Sequence, residues 1–152
     1  MDKSVKTILT GIAIPVFGLA LLGLTFLLDA QFQNLIDRFF PHSYNMNVNW
    51  FPPFKHILFL VLIMTVSFFI LKAKKLKDFY KAVYSTVPTA VLLATAGLSL
   101  YGWPIVQYSV CVLIYAAIIL YSLKTKKSWM YGYAVTLVAL TLLIMVVAGV
   151  EI

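Results

Sequence analysis

The sequence predicts an all-α, polytopic membrane protein: a bundle of five transmembrane helices with a short amphipathic interfacial helix in the first, outer loop. Three observations carry that expectation. The chain of 152 residues is 62% hydrophobic and 11% charged, with a mean hydropathy of +0.97, whereas about a quarter of the residues of a soluble domain are charged. The apolar residues fall into five runs, each able to cross a hydrocarbon core of roughly 30 Å at about 1.5 Å per residue. Ten of the twelve basic residues cluster at Lys3 and Lys6, at Lys72, Lys74, Lys75, Lys77 and Lys81, and at Lys124, Lys126 and Lys127. Short basic connectors of this kind stay on the cytoplasmic side. The net charge of +7 is therefore a topological signal and an attraction for anionic headgroups, and it does not point to nucleic acid.

The first run covers residues 7–28. It is too long for the apolar core of a signal peptide, and Asp29-Ala30-Gln31 makes a poor cleavage site, so it reads as a retained helix. Pro15 frees the carbonyl of Gly11 and predicts a kink there. Gly11, Pro15, Gly18 and Leu22 share one face, which lets a neighbouring helix approach closely. The outer loop, 29–53, is the one long polar excursion of the chain. Within it Phe32, Leu35, Ile36, Phe39 and Phe40 recur at helical spacing, with Gln33, Asn34, Asp37 and Arg38 facing the other way, the pattern of a short helix lying in the interface. Pro41 ends that helix.

Pro52 and Pro53 suit the first turn of a new helix, where a missing N–H costs little, and the second span follows at 54–71. The third, 82–100, has small residues on two adjoining faces: Ser85, Thr89, Ala96 and Ser99, and Thr86, Ala90, Ala94 and Gly97. Small faces allow backbones to pack closely, so this helix is expected at the centre of the bundle. Tyr101-Gly102-Trp103-Pro104 is a tight turn with interface aromatics. The fourth span, 105–123, continues an aromatic seam through Tyr101, Tyr108, Cys111 and Tyr115, and the fifth is 129–150. Residues 1–152 make one transmembrane domain, with no internal repeat.

Charge then orients the chain. With the amino terminus inside, ten lysines oppose only Asp2 and Asp78 on the inner side, while Arg38 and Lys55 oppose Asp29, Asp37 and Glu151 outside. The expectation is a multi-pass protein of the plasma (inner) membrane, amino terminus cytoplasmic and carboxyl terminus outside.

The same inventory narrows the function. No Asp, Glu, Lys, Arg or His falls in the interior of a predicted span, so proton relays, ion-coupled carriers, voltage sensors and aspartyl intramembrane proteases are disfavoured. Cys111 is the single cysteine, which leaves no disulfide framework and no thiol pair for redox work. His42, His56, Asp29 and Asp37 are residue types that suit zinc, but their spacing matches no metal motif. No nucleophile elbow, phosphate loop or zinc-protease signature is present. Neither a catalytic residue nor a cofactor is expected. What remains is binding, by Phe32, Leu35, Phe39, His42 and Trp50 in the outer loop and by Tyr108 and Tyr115 of the seam. The leading expectation is a non-enzymatic accessory or immunity-type partner of another membrane component, bound to the lipid bilayer and open to oligomer formation. The alternative is a receptor or carrier for a lipid or lipophilic small molecule, not ion-coupled, with its pocket beneath the outer loop. An enzyme acting on lipid at the outer face comes third.

Five spans, a long first outer loop, a short amphipathic segment and Trp50-Phe51-Pro52-Pro53 at the start of span two resemble the translocator-protein (tryptophan-rich sensory) family, which has a W-x-P-P stretch at this place. The resemblance implies a pocket for porphyrins, sterols or other lipophilic ligands within the bundle. Only Trp50, Trp103 and Trp129 are present here, the family's asparagine–tryptophan–serine stretch in span three has no counterpart, and its proline–tyrosine pair in span five reads Gly132-Tyr133.

Overall fold

The structure, a computed structural model, describes residues 3–39, 51–100 and 102–148. They form six helices: α1 (Lys3–Phe39), α2 (Phe51–Lys72), α3 (Asp78–Tyr84), α4 (Thr86–Ser99), α5 (Pro104–Lys124) and α6 (Trp129–Val147). Taken as spans they give five segments long and apolar enough to cross a membrane, Val5–Phe39, Phe54–Lys72, Asp78–Ser99, Pro104–Lys124 and Trp129–Val147. This fits a multi-pass membrane protein, and the described residues contain no strand. His42, Trp50, Phe40 and Tyr101 lie outside the described residues.

The third span is two helices that meet at Ser85. Pro88 explains the division, because it has no N–H to give the carbonyl of Tyr84 and its ring crowds that carbonyl. Hydroxyls cover the joint: Ser85 Oγ donates to the Ala82 carbonyl at 2.6 Å and Thr86 Oγ1 to the Val83 carbonyl at 2.7 Å.

This span is the least apolar of the five, at a mean hydropathy of 1.3, and the most buried, at 56%. Its small and hydroxylic residues are shielded from lipid by neighbours, and α4 packs against α1, α2, α5 and α6. The central placement follows from the small faces as expected. Gly18 of α1 meets Thr86 so closely that a Cβ on it would stand 3.2 Å from Thr86 Cγ2. Gly11, on the same side of the sequence pattern, has open space around it. The close approach is therefore confined to the Ile14–Gly18–Leu22 part of the face.

Three apolar clusters tie the helices together. Ile14, Val83 and Ala134 pack near the lysine-rich connectors, with Phe79 and Met130 against them. Phe59, Ile63, Val87 and Val91 join α2 to α4. Leu22, Ala90, Leu93, Val138 and Leu142 join α1, α4 and α6, with Cys111 and Ile114 of α5 against them. Helix α5 has no buried residue of its own and packs only on α4 and α6 among its principal neighbours.

At the α5–α6 turn the Lys127 N–H donates to the Ser122 carbonyl and the Lys126 N–H to the Leu123 carbonyl, both at 3.0 Å. Lys126 takes φ of +50°, so the helix closes with a left-handed residue of the kind glycine usually supplies.

The sequence reading of residues 29–40 as a separate interfacial helix is not what forms. Helix α1 continues without a break from Lys3 to Phe39, 37 residues in all. At about 1.5 Å per residue that is roughly 55 Å, against about 30 Å of hydrocarbon. Helix propensity is sufficient reason: from Leu27 to Phe39 the chain has no Gly or Pro, and nothing local stops the first span at Leu28.

Candidate functional site

The lysine-poor end of the bundle is where chemistry-bearing side chains converge. Past Thr25, α1 runs antiparallel to the first turns of α2, and the seam between them is polar. Asp29, Gln33 and Asp37 recur every fourth residue, so they stand in one row along the helix. Lys55 and His56 of α2 meet that row. Gln33 Nε2 donates to Asp29 Oδ2 at 2.9 Å and lies 3.1 Å and 3.3 Å from the two ring nitrogens of His56. His56 Nδ1 is 3.2 Å from Asp29 Oδ2. One turn further out Lys55 Nζ donates to Asp37 Oδ1, with Lys55 only 8% exposed.

The roles of the His56 nitrogens depend on its tautomer, and the Nδ1–H form connects the groups in one chain. An Nδ1–H of His56 donates to Asp29, one Gln33 N–H donates to the same carboxylate oxygen, and the second Gln33 N–H reaches His56 Nε2. Both imidazole nitrogens are then engaged within the seam. His56 thereby ties the start of α2 to the Asp29–Gln33 row of α1.

The arc of α1 that faces α2 holds Asp29, Phe32, Gln33, Ile36 and Asp37, all part-buried. Phe32 packs on Phe59, with ring centroids 5.5 Å apart. Leu35 and Phe39 point the other way and are 51% and 73% exposed. The expected division is thus rotated by roughly a quarter turn: Gln33 and Asp37, read as the wet face, line the seam, and half of the expected apolar stripe stands outside it.

Below the seam lies a recess lined by Thr25, Phe26, Asp29, His56, Phe59, Val91, Ala94 and Thr95. It offers about 10 Å³ to the centre of a water-sized group, near the lower limit for one water. It also sets the depth of the polar residues. Asp29 and His56 stand level with Ala94 and Thr95, about one helical turn before α4 ends at Ser99. The polar excursion begins within the bundle's end, whereas the sequence reading had placed it outside.

The tyrosine seam divides in the structure. Tyr115 is half-buried, and its hydroxyl donates to Thr136 Oγ1 at 2.9 Å, while Thr136 Oγ1 donates to the Gly132 carbonyl at 2.8 Å. Cys111 Sγ lies 3.9 Å from the Leu93 carbonyl. Tyr108 instead faces outward, 50% exposed.

Of the residues first considered as metal ligands, Asp29 and His56 come together, whereas Asp37 pairs with Lys55. No three His, Cys, Asp or Glu side chains converge among the described residues. The pairing of Asp29 with His56 across 27 positions leaves no trace in local spacing, but the fourfold step of Asp29, Gln33 and Asp37 is visible in the sequence and marks a polar row. Neither a protein-family model, nor a curated protein, nor a solved structure matches this chain.

Proposed function

We propose that this chain acts by binding, as a non-enzymatic accessory or immunity-type partner of another membrane component. The contact is made by the outer hairpin of α1 and α2. One observation carries the reading: beyond Asp29 the hairpin turns its paired polar groups inward with Phe32 and Ile36, and leaves the large apolar side chains of Leu35 and Phe39 outside. Its seam is closed by Asp37–Lys55 and by Asp29–Gln33–His56, while Leu35 and Phe39 face away from it. A hairpin standing in water would put those apolar groups in its seam. Since α1 exceeds the hydrocarbon thickness by about 25 Å, its last turns leave the bilayer core with Leu35 and Phe39 uncovered. Leu35 and Phe39 are thereby open to a partner's surface. The distribution of lysines supports a plasma-membrane protein with its amino terminus inside and this hairpin outside.

A photoreactive residue at Leu35 or Phe39, compared with one at Leu113 on α5, tests the reading. The hairpin positions should give a discrete protein adduct in native membranes that Leu113 does not, and Phe39→Asp should abolish the Leu35 adduct. Identical, lipid-only adducts from all three positions would remove the hairpin as a docking surface.

The recess beneath the seam supports a second reading, a receptor or carrier for a lipid or lipophilic molecule. Its space admits a group about the size of one water.

A further inference from the structure

The recess between α1, α2 and α4 contains polar groups that the seam does not satisfy. Both hydrogen bonds to Asp29 arrive at Oδ2. Its other oxygen, Oδ1, is buried and has no hydrogen-bond partner. A buried carboxylate oxygen without a donor is costly, and such groups ordinarily face a ligand, an ion or an ordered water. Thr95 borders the same recess and is 6% exposed. Thr25, Thr89, Thr136 and Thr141 each turn their hydroxyl back onto a carbonyl four residues earlier. Thr95 makes no such bond among the described residues.

Charge adds a direction. Asp37 is matched by Lys55. Helix α4 brings Ala94 and Thr95 to the recess, neither of them charged, and α2 brings His56, whose two nitrogens are taken by Asp29 and Gln33. Asp29 keeps one buried oxygen without a hydrogen-bond partner among the described residues, on the side of the recess where no lysine or arginine lines the wall. Phe26 and Phe59 line the same space, and aromatic rings attract cations as well as apolar stems.

We propose that this recess is a binding site for a primary ammonium group carried on an apolar or lipidic stem. Asp29 Oδ1 accepts one N–H, the Thr95 hydroxyl oxygen accepts a second, and the aromatic rings flank the adjoining carbon atoms. The site lies about one helical turn before α4 ends at Ser99, towards the lysine-poor end of the bundle. A quaternary ammonium has no N–H to give Oδ1, and its three methyl groups exceed a space that admits about one water. This inference uses residues other than Leu35 and Phe39 and stands or falls apart from the partner reading.

The test uses the full-length protein in phosphatidylglycerol nanodiscs containing equal amounts of phosphatidylethanolamine and phosphatidylcholine, followed by native mass spectrometry of retained lipid. Phosphatidylethanolamine should be retained over phosphatidylcholine by about tenfold, the scale of a charge-assisted hydrogen bond. Asp29→Asn should abolish the preference and Thr95→Val should reduce it, while Leu113→Ala on the exposed side of α5 should keep it. Ethylammonium chloride distinguishes the sources. If it displaces the retained lipid the site also serves soluble amines, and if it does not the lipid headgroup is the ligand; either result upholds an ammonium site. Equal retention of the two lipids by the parent protein overturns the proposal and depends on no variant. So does a Thr95→Val protein that keeps the full preference, or a retained occupancy that follows sodium and ignores both amines.

Discussion

His56 on α2 holds its Nδ1 3.2 Å from Asp29 Oδ2 on α1, and the same carboxylate oxygen takes the Gln33 amide at 2.9 Å. Two helices that lipid alone would let slide past one another are thereby fixed in register at the end where their connection carries the polar loop. Gln33 is the shared member of this arrangement. Gln33→Ala should cost about 1 kcal/mol, the net worth of an intramolecular hydrogen bond with some loss from its orphaned partners. Asn34→Ala, on the exposed side of the same turn, should stay within about 0.5 kcal/mol. Reversible unfolding in mixed micelles would read both values.

The Asp37–Lys55 pair is a sterner case. Lys55 is buried, and removing one partner of a buried pair costs about 3–5 kcal/mol at the upper end. Asp37→Asn should therefore destabilise more than Lys55→Met, and the double variant should recover part of the loss. Additive losses in the double-mutant cycle would show that the two side chains are not energetically coupled.

At the crossing of α1 and α4 the geometry sets a steric limit. Gly18→Leu adds bulk where a single Cβ already stands 3.2 Å from Thr86 Cγ2, so it should cost about 1–3 kcal/mol by overpacking. Gly11→Ala meets open space and should be neutral or stabilising by up to about 1 kcal/mol through helix propensity. Thermal stability of the two variants in one detergent compares them directly.

Lys126 offers a gain in stability. Its φ of +50° is strained for lysine and easy for glycine. Lys126→Gly should leave the turn unchanged and raise stability by about 0.5–1 kcal/mol. A loss of stability would mean that the lysine side chain makes a contact worth more than the backbone strain.

Much of this architecture was legible in the chain, and particular residues explain where legibility ended. The apolar runs and lysine connectors define five spans because lipid imposes one length and one loop chemistry on any helical crossing. The small faces of Thr86, Ala90 and Ala94 located the central helix for a similarly general reason. The break at Ser85 was available too, in Pro88. The face of residues 29–39 was read with the wrong rotation because local periodicity separates apolar from polar positions without saying which side meets the bundle. In water the apolar side turns inward; here Phe32 and Ile36 do so together with Asp29, Gln33 and Asp37, and Leu35 and Phe39 do not. The contacts of Asp29 with His56 and of Asp37 with Lys55 depend on how a hairpin closes over many intervening residues, which no local spacing encodes.

The central claim is that the last turns of α1 leave the bilayer on the side opposite the lysine connectors, with Leu35 and Phe39 uncovered. Labelling intact cells with a membrane-impermeant maleimide, in a Cys111→Ser background, tests it most directly. Leu35→Cys and Phe39→Cys should label readily, whereas Lys75→Cys should label only after permeabilisation and Leu113→Cys should resist throughout. Protection of Leu35→Cys and Phe39→Cys to the level of Leu113→Cys, or ready labelling of Lys75→Cys on intact cells, would contradict the account.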